Sequence, residues 1–330
     1  MTNKLRVAFI ENQLAFRGTQ GTCWSLAHFN ETMLGNKSII ISRSKPDYRD
    51  EDTTNESINF FTDRFETYFV PFENVNEFLI DNKIDVAYVP TAGDMSTLSH
   101  IPTSIPTISH CVFSNQNKAA TIQTAISDYV SQGKCHVLQN IIHVDFNVHE
   151  DMREELNIPK DAIVFGRYGG YGTFNIPFVH NVITEFIKLN KNVYFLFMNT
   201  KPFHDPHPNI IHLSGSRDIQ YKTRFINTCD AMLHARMDGE TFGMACGEFA
   251  VLNKPIITSP YGSQAHFDYL NNQLLLYKDP VSLWNIFNNF YKGINIKNTK
   301  YEKCLPEHVI PYFNSLMLTA IGKFKLDKII

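Results

Sequence analysis

MDGETFGMACGEFAVLNKPIITS, residues 237–259, decides how the rest of the chain is read. A short apolar run, Ala231-Met232-Leu233-His234-Ala235, precedes it and reads as a strand. The chain then turns through Asp238-Gly239, opens a helix near Thr241, and closes on Pro255-Ile256-Ile257-Thr258, a second strand. Strand, loop, helix and strand in that order make one βαβ unit of a parallel sheet. Glu240 and Glu248 flank its centre, with seven residues between them. A helix repeats every ~3.6 residues, which puts Glu248 about two turns inside while Glu240 stays in the loop before it. Phe242, Gly243 and Met244 then supply the unpaired N–H groups of the first turn, which with the helix dipole favour an anion. Gly243 has no Cβ, so a ligand can approach the backbone there. The unit offers a phosphate seat with one carboxylate at its mouth and another along its wall. A ligand combining phosphate with many hydroxyls, such as a nucleotide sugar, suits that arrangement.

Upstream, AIVFGRYGGYGTFN (162–175) repeats the order of strand, glycine-rich loop and helix, with the helix over 178–188. Gly166, Gly169, Gly170 and Gly172 beside Arg167 suit phosphate, since backbone N–H groups and a planar guanidinium can bind it together. Further strands are expected at 193–198 and 210–213, with Ser214 just after the latter. A helix spans 219–229, another runs from Asp279-Pro280 to 291, and a last one covers about 306–323.

The segment from Glu240 to Glu248 resembles the Glu-x7-Glu motif of retaining GT-B glycosyltransferases of the family 4-like group. Together, FRGTQ, GRYGGYGTF and GETFGMACGE look like a set of such enzymes found in large viruses and bacteria. The resemblance implies two doubly wound Rossmann-like domains facing a cleft, a nucleotide-sugar donor and no metal. By it, Glu240 lies against the donor sugar, Glu248 binds the nucleotide ribose, Arg167 holds the diphosphate, and Thr241, Phe242, Gly243, Met244, Gly169 and Gly170 line the donor site. Ser214 borders the nucleotide base. The family usually adds a lysine five or six residues after the arginine. Gly172 and Thr173 stand there instead, and Arg236 is the nearest substitute, either for phosphate or simply as the partner of a carboxylate.

The N-terminal half follows the same alternation more loosely. Strands are expected at 5–10, 38–42, 68–70, 85–90 and 106–113, and the last strand or strands of the domain at 134–143. After the first strand, Gly18 and Thr19 sit before a helix expected over 22–34. They read as a donor-facing loop by the resemblance, or as a plain βα turn. His110 stands near the C-terminal end of its strand, where open α/β sheets bind ligands. The resemblance assigns it to the donor sugar. Asp50-Glu51-Asp52 mimics a metal-binding Asp-x-Asp, but it lies in a polar loop rather than at the end of an apolar strand. His143, Asp145, His149 and Glu150 match no standard metal spacing, and His204 with His207 is a weak metal signal.

With 330 residues, the chain is expected to form two domains. These are an acceptor-side domain over 1–150, with a linker helix at 150–156 following it, and a donor domain over 151–305. Residues 306–330 then form a helix crossing back toward the first domain. Apolar residues make up 43% and the net charge is −3, which argues for a globular protein and against a nucleic-acid partner. The six cysteines are scattered without a Cys-x-x-Cys pair, so buried thiols are expected rather than zinc. The first residues read as a strand rather than a signal peptide, and no run approaches ~18 apolar residues. The expectation is a cytoplasmic enzyme, with peripheral membrane contact left open and the acceptor and oligomeric state unread. A silent GT-B module that binds a nucleotide sugar or a protein, and a GT-B epimerase, are the alternatives.

Overall fold

The computed structural model describes residues 4–15, 18–43, 53–96, 101–271, 274–294 and 299–329. Asp50-Glu51-Asp52 and Phe16-Arg17 lie outside the described residues. The chain divides into two compact units, Met1–Ile141 with Cys304–Ile330, and Ile142–Lys303.

In the first unit, runs of apolar residues form strands because both faces of a parallel sheet are covered. The elements are β1 (Arg6–Glu11), α1 (Gly18–Thr32), β2 (Lys37–Ser42), α2 (Asn55–Thr62), β3 (Glu66–Phe69), α3 (Val75–Asp81), β4 (Val86–Thr91), β5 (Thr107–Cys111), β6 (Ile122–Ala125), α4 (Asp128–Ser131) and β7 (His136–Val137). The sheet order is β3-β2-β1-β4-β5-β6-β7, all parallel.

Three expectations change here. The first helix begins at Gly18, not near Thr22, so Gly18 and Thr19 open a helix rather than line a loop. β6 has no counterpart in the sequence reading, because IQTA alternates too briefly to stand out. Of residues 134–143 only His136–Val137 is strand.

Elements of the second unit are β8 (Ile163–Tyr168), α5 (Pro177–Leu189), β9 (Val193–Met198), β10 (Ile210–Leu213), α6 (Ile219–Thr228), β11 (Ala231–Leu233), β12 (Gly239–Glu240), α7 (Met244–Val251), β13 (Ile256–Thr258), β14 (Ser263–Gln264), α8 (Ala265–Leu270), β15 (Leu274–Leu276) and α9 (Pro280–Asn289). The main sheet runs β10-β9-β8-β11-β13-β15, again parallel, and β12 pairs with β14 in a separate ribbon. Its core centres on an aromatic cluster: Phe287 lies 4.8–5.3 Å, centroid to centroid, from Phe165, Phe186 and Phe195, and Phe165 lies 5.5 Å from Phe195. Asp279 caps α9 through a reciprocal bond with Ser282, which is why that helix starts where Asp-Pro predicts. Residues 150–156, expected as a helix, form turns.

The last helix, α10 (Pro306–Asp327), belongs to the first unit. Val309, Ile310, Phe313, Leu316, Met317 and Ala320 form its buried stripe, at the spacing of one helical face. Phe313 meets Phe9 of β1 at 6.1 Å and Tyr88 of β4 at 5.7 Å. No helix among the described residues is long and apolar enough to cross a membrane.

Glu11 ends β1 with 2% of its surface exposed. The Gln20 amide donates to its Oε2 at 2.8 Å, and Oε1 has no hydrogen-bond partner. Burial pushes the carboxyl from its ordinary 4.5 to about 8, against the opposing bonds of Gln20 and Cys23. The neighbouring Cys23 and Tyr88 are themselves driven well above their ordinary values, chiefly by burial, and His110 beyond Tyr88 falls to about 4. None of these three titrates between pH 5 and 8. A carboxyl whose native pKa is raised stabilises the fold fully below the unfolded value and loses that contribution up to the native value. Glu11→Gln removes this contribution. Its stability relative to the parent therefore rises from about pH 5 to pH 8 and levels off above, as denaturant melts across that range will measure.

Candidate functional site

In the second unit, β8, β11 and β13 are neighbours at the middle of the sheet, and their carboxyl ends are where such sheets bind ligands. Each contributes a polar group there. Arg167 is the penultimate residue of β8, His234 follows β11, and Thr258 ends β13. The His234 Nε2–H donates to Glu240 Oε1 at 3.3 Å, which leaves Nδ1 to accept from the Thr258 hydroxyl at 2.8 Å. Thr258 Oγ1 in turn accepts from His266 Nε2 at 3.2 Å. Burial holds His266 near 3, so it is neutral at pH 7 and the chain carries one consistent set of protons. Arg236 reaches both Glu240 oxygens at 3.3 Å. Burial opposes the charge on Glu240, but the His234 hydrogen bond and the positive Arg236 guanidinium bring its pKa below the ordinary value. Glu240 is a fixed carboxylate, held on two sides.

Two glycines place it. Gly239 and Gly262 both have left-handed backbone, with φ of +64° and +62°. A Cβ on Gly239 would stand 2.1 Å from the Ser263 carbonyl oxygen, and one on Gly262 would stand 2.0 Å from the Asp238 carbonyl carbon. This close approach lets β12 pair with β14 and aims Glu240 at His234.

Arg167 is 4% exposed. It donates to the Asn199 carbonyl at 3.3 Å, Thr200 Oγ1 at 2.5 Å, the Gly170 carbonyl at 3.0 Å and Thr173 Oγ1 at 2.6 Å. The glycine loop thus wraps the guanidinium, with Gly169 accepting from the Asn199 amide at 2.8 Å. Gly166 lies inside β8, not in the loop, and a Cβ there would meet Cys229 Sγ at 2.1 Å. Burial lowers the Arg167 pKa to about 10, with Glu240 opposing the shift and Arg236 adding to it. These mutual charge effects place Arg167, Arg236 and Glu240 in one electrostatic centre. Thr173, standing where the resemblance implies a lysine, serves as an anchor for Arg167.

The helix α7 begins at Met244, three residues later than the spacing predicts. Gly243 is its N-cap, with φ +83° and no side-chain cap. Gly243 serves the protein's own packing: a Cβ there would press on His266 Cβ at 3.0 Å and the Tyr301 hydroxyl at 3.1 Å. Phe242 turns inward, 2% exposed, against Tyr269 and Tyr301, and its carbonyl accepts from the Tyr301 hydroxyl. The first-turn N–H groups are therefore those of Met244, Ala245 and Cys246. Thr241 and Met244 are half-buried at this end, while Ser214 is exposed after β10.

Glu248 lies little more than one turn into α7, is 3% exposed, and forms an ion pair with Lys222 of α6. Burial raises the Glu248 carboxyl well above its ordinary value and, with Arg217 nearby, lowers Lys222 to about 7. Contact between opposite charges opposes both shifts, so each group depends on the other to stay ionised.

No protein-family model matches the sequence, and no curated protein does. Solved structures are similar over nearly the whole chain. Anabaena Alr3699/HepE in complex with UDP-glucose aligns with 98% of this chain and 99% of its own, at a TM-score of 0.63 and 12% identity. A glycosyltransferase from Rickettsia africae covers 98% and 94%, with TM-score 0.61 and 14% identity. The lipopolysaccharide outer core galactosyltransferase WaaB covers 98% and 100%, with TM-score 0.56 and 14% identity. The fold is GT-B.

In this GT-B chain, His110, Gly18 and Thr19 belong to the first unit. His110 is 1% exposed and turned into that unit. Its Nε2–H donates to the Leu138 carbonyl at 2.8 Å, and its Nδ1 accepts from Tyr88 at 2.5 Å. Both nitrogens are taken by the strand's own neighbours, which is the structural role of a buried histidine. The sequence reading missed His234, Thr258, His266 and Lys222. His234 carries the same signal as His110, a histidine at the end of a parallel strand. Lys222 had no such signal, since it looks like any lysine on a predicted helix. Among the described residues no three His, Cys, Asp or Glu side chains gather as a metal site, and the segment from His143 to Glu150 forms none.

Proposed function

We propose that this chain is a retaining glycosyltransferase that moves a sugar from a nucleotide-diphosphate donor of the UDP-sugar class to an acceptor hydroxyl. The observation that carries the reading is the fixed Glu240 carboxylate beside two arginines at the carboxyl ends of β8 and β11. The Arg236 Nε adds to it, being shielded from solvent without a hydrogen-bond partner, with only the Asp238 carboxylate at 3.9 Å. Such an N–H costs free energy unless a ligand takes it. That the similar HepE was solved with UDP-glucose, and MnaA of S. aureus with UDP, supports the donor class.

In the reaction, the bond from the anomeric carbon to the donor phosphate oxygen breaks, and a bond to the acceptor oxygen forms on the same face. The acceptor proton passes to the leaving diphosphate. Negative charge growing on that diphosphate is met by Arg167, Arg236 and the uncapped start of α7, with no metal required. Glu240 orients the sugar through its hydroxyls, and Glu248 accepts from the ribose.

One observation favours a donor-binding module that does not turn over. Arg167 spends its donors on protein acceptors, and Gly172 and Thr173 offer no second cation. Two experiments separate the readings. Thermal melts with UDP, UDP-glucose, GDP-mannose and ADP-glucose at millimolar concentration are expected to show stabilisation by the uridine ligands, by mass action. Slow release of UDP from UDP-sugars follows if the chain is a transferase, and the product anomer, read by proton NMR, keeps the donor's configuration. No shift with any nucleotide sinks both readings. Stabilisation without any UDP release leaves the module.

A further inference from the structure

On the second unit, an open cavity of about 420 Å³ is lined by Pro202, His204, Pro206, His207, Ile210 and His212, among others. None of the residues assigned to the donor lines it. Its two central histidines face each other in an unusual way. His204 Nε2 and His212 Nε2 are 3.3 Å apart. His212 Nδ1 lies 3.1 Å from the Thr200 carbonyl, and His204 Nδ1 contacts the carbonyl of Asp205. A carbonyl only accepts, so each ring carries its proton on Nδ1. With the protons on Nδ1, the Nε2 lone pair of each ring is aimed at that of the other. Two acceptors at this distance repel unless something positive stands between them.

We propose that His204 and His212 form a binding site for a tetrahedral first-row transition-metal ion, with zinc as the type. Two imidazole nitrogens at ~2.0–2.1 Å from a tetrahedral zinc stand about 3.3 Å apart. Backbone carbonyls on the far ring nitrogens are the usual way a ligating histidine is oriented and made more basic. The rings are also braced from behind. Phe197 stacks on His212 at 5.1 Å, and Phe203, stacked on His180 at 4.2 Å, meets His204 at 5.0 Å. His207 lines the same cavity but is not a third ligand as placed. Its Nδ1 accepts from the Asn209 N–H at 3.1 Å, which leaves the proton on Nε2. Two protein nitrogens with water completing the shell make an exchangeable site, open to the cavity.

The test uses the full chain, stripped with a chelator and titrated with zinc chloride by calorimetry. A parallel titration with cobalt chloride is followed by the visible bands of tetrahedral cobalt. Saturable uptake of about one ion per chain is expected, with no response to magnesium, which prefers oxygen ligands. His204→Gln and His212→Gln should each weaken uptake at least ~10-fold, the effect even an outer-shell change produces. Melting temperatures of the stripped variants, unchanged from the stripped parent, establish that they are folded. No saturable uptake overturns the site and leaves a proton shared between the rings. Uptake that survives both substitutions together overturns it too.

Discussion

Glu240→Gln should slow sugar transfer by about 10²–10³-fold, as loss of one oriented electrostatic group does elsewhere. The substitution keeps the volume and still offers an oxygen to His234 Nε2–H, so the histidine network survives. What goes is the charge, and with it the partner of Arg236. Glu240 retains 23% of its side-chain exposure, so its loss should hardly change the melting temperature. Because the proposal places Glu240 on the sugar and not on the nucleotide, UDP should bind the variant within a few-fold of the parent. The expected pattern is a collapse of kcat with UDP affinity retained. An unchanged kcat would remove Glu240 from the reaction, and loss of UDP binding alone would move it to the nucleotide.

The second large effect is on stability. Lys222→Met leaves Glu248 buried without its cation, and breaking such a pair from one side costs about 3–5 kcal/mol. Lys222 and Glu248 have side-chain exposures of only 14% and 4%, so solvent does little to soften the loss. In this variant burial alone acts on Glu248, raising its pKa in the folded state. A raised carboxyl stabilises below its unfolded value and ceases to do so as pH rises, so the deficit of Lys222→Met should shrink toward pH 5 and widen toward pH 8. Adding Glu248→Leu removes the stranded charge. The double variant should recover to within about 1 kcal/mol of the parent, since an apolar replacement of a buried pair is often neutral. Urea melts of the parent, Lys222→Met, Glu248→Leu and the double variant give the coupling directly. If the double variant stays as unstable as Lys222→Met, the pair is not what the burial implies. The double variant also probes function: folded but lacking the ribose ligand, it should lose stabilisation by UDP.

Alternation of strand and helix was legible in the sequence because both sheets are parallel and covered on both faces, which demands continuous apolar runs. VYFLFM and IIHL match β9 and β10 residue for residue. Boundaries went astray where local signals were shared by two structures. Gly18 and Thr19 look like a loop, yet α1 starts at Gly18. Gly243 looks like an opening for a ligand, yet its missing side chain makes room for His266 and Tyr301. A glycine announces that a Cβ is not tolerated, but not whether a ligand or the protein itself takes the space.

The sequence by itself determined the two-domain α/β class, the alternation of most strands and helices along the chain, and the candidacy of Glu240, Glu248, Arg167 and Arg236. These follow from periodicity and from spacing within one βαβ unit, which are local properties. Only the tertiary structure decided what those groups touch. It brought His234 and Thr258 from neighbouring strand ends onto Glu240, set Lys222 of another helix against Glu248, and turned His110 inward. It also set His204 and His212 nitrogen to nitrogen. Each of these pairings joins residues from different elements or opposite ends of a turn. Which lysine or histidine meets which partner depends on how the elements pack against one another, and no spacing along the chain encodes that.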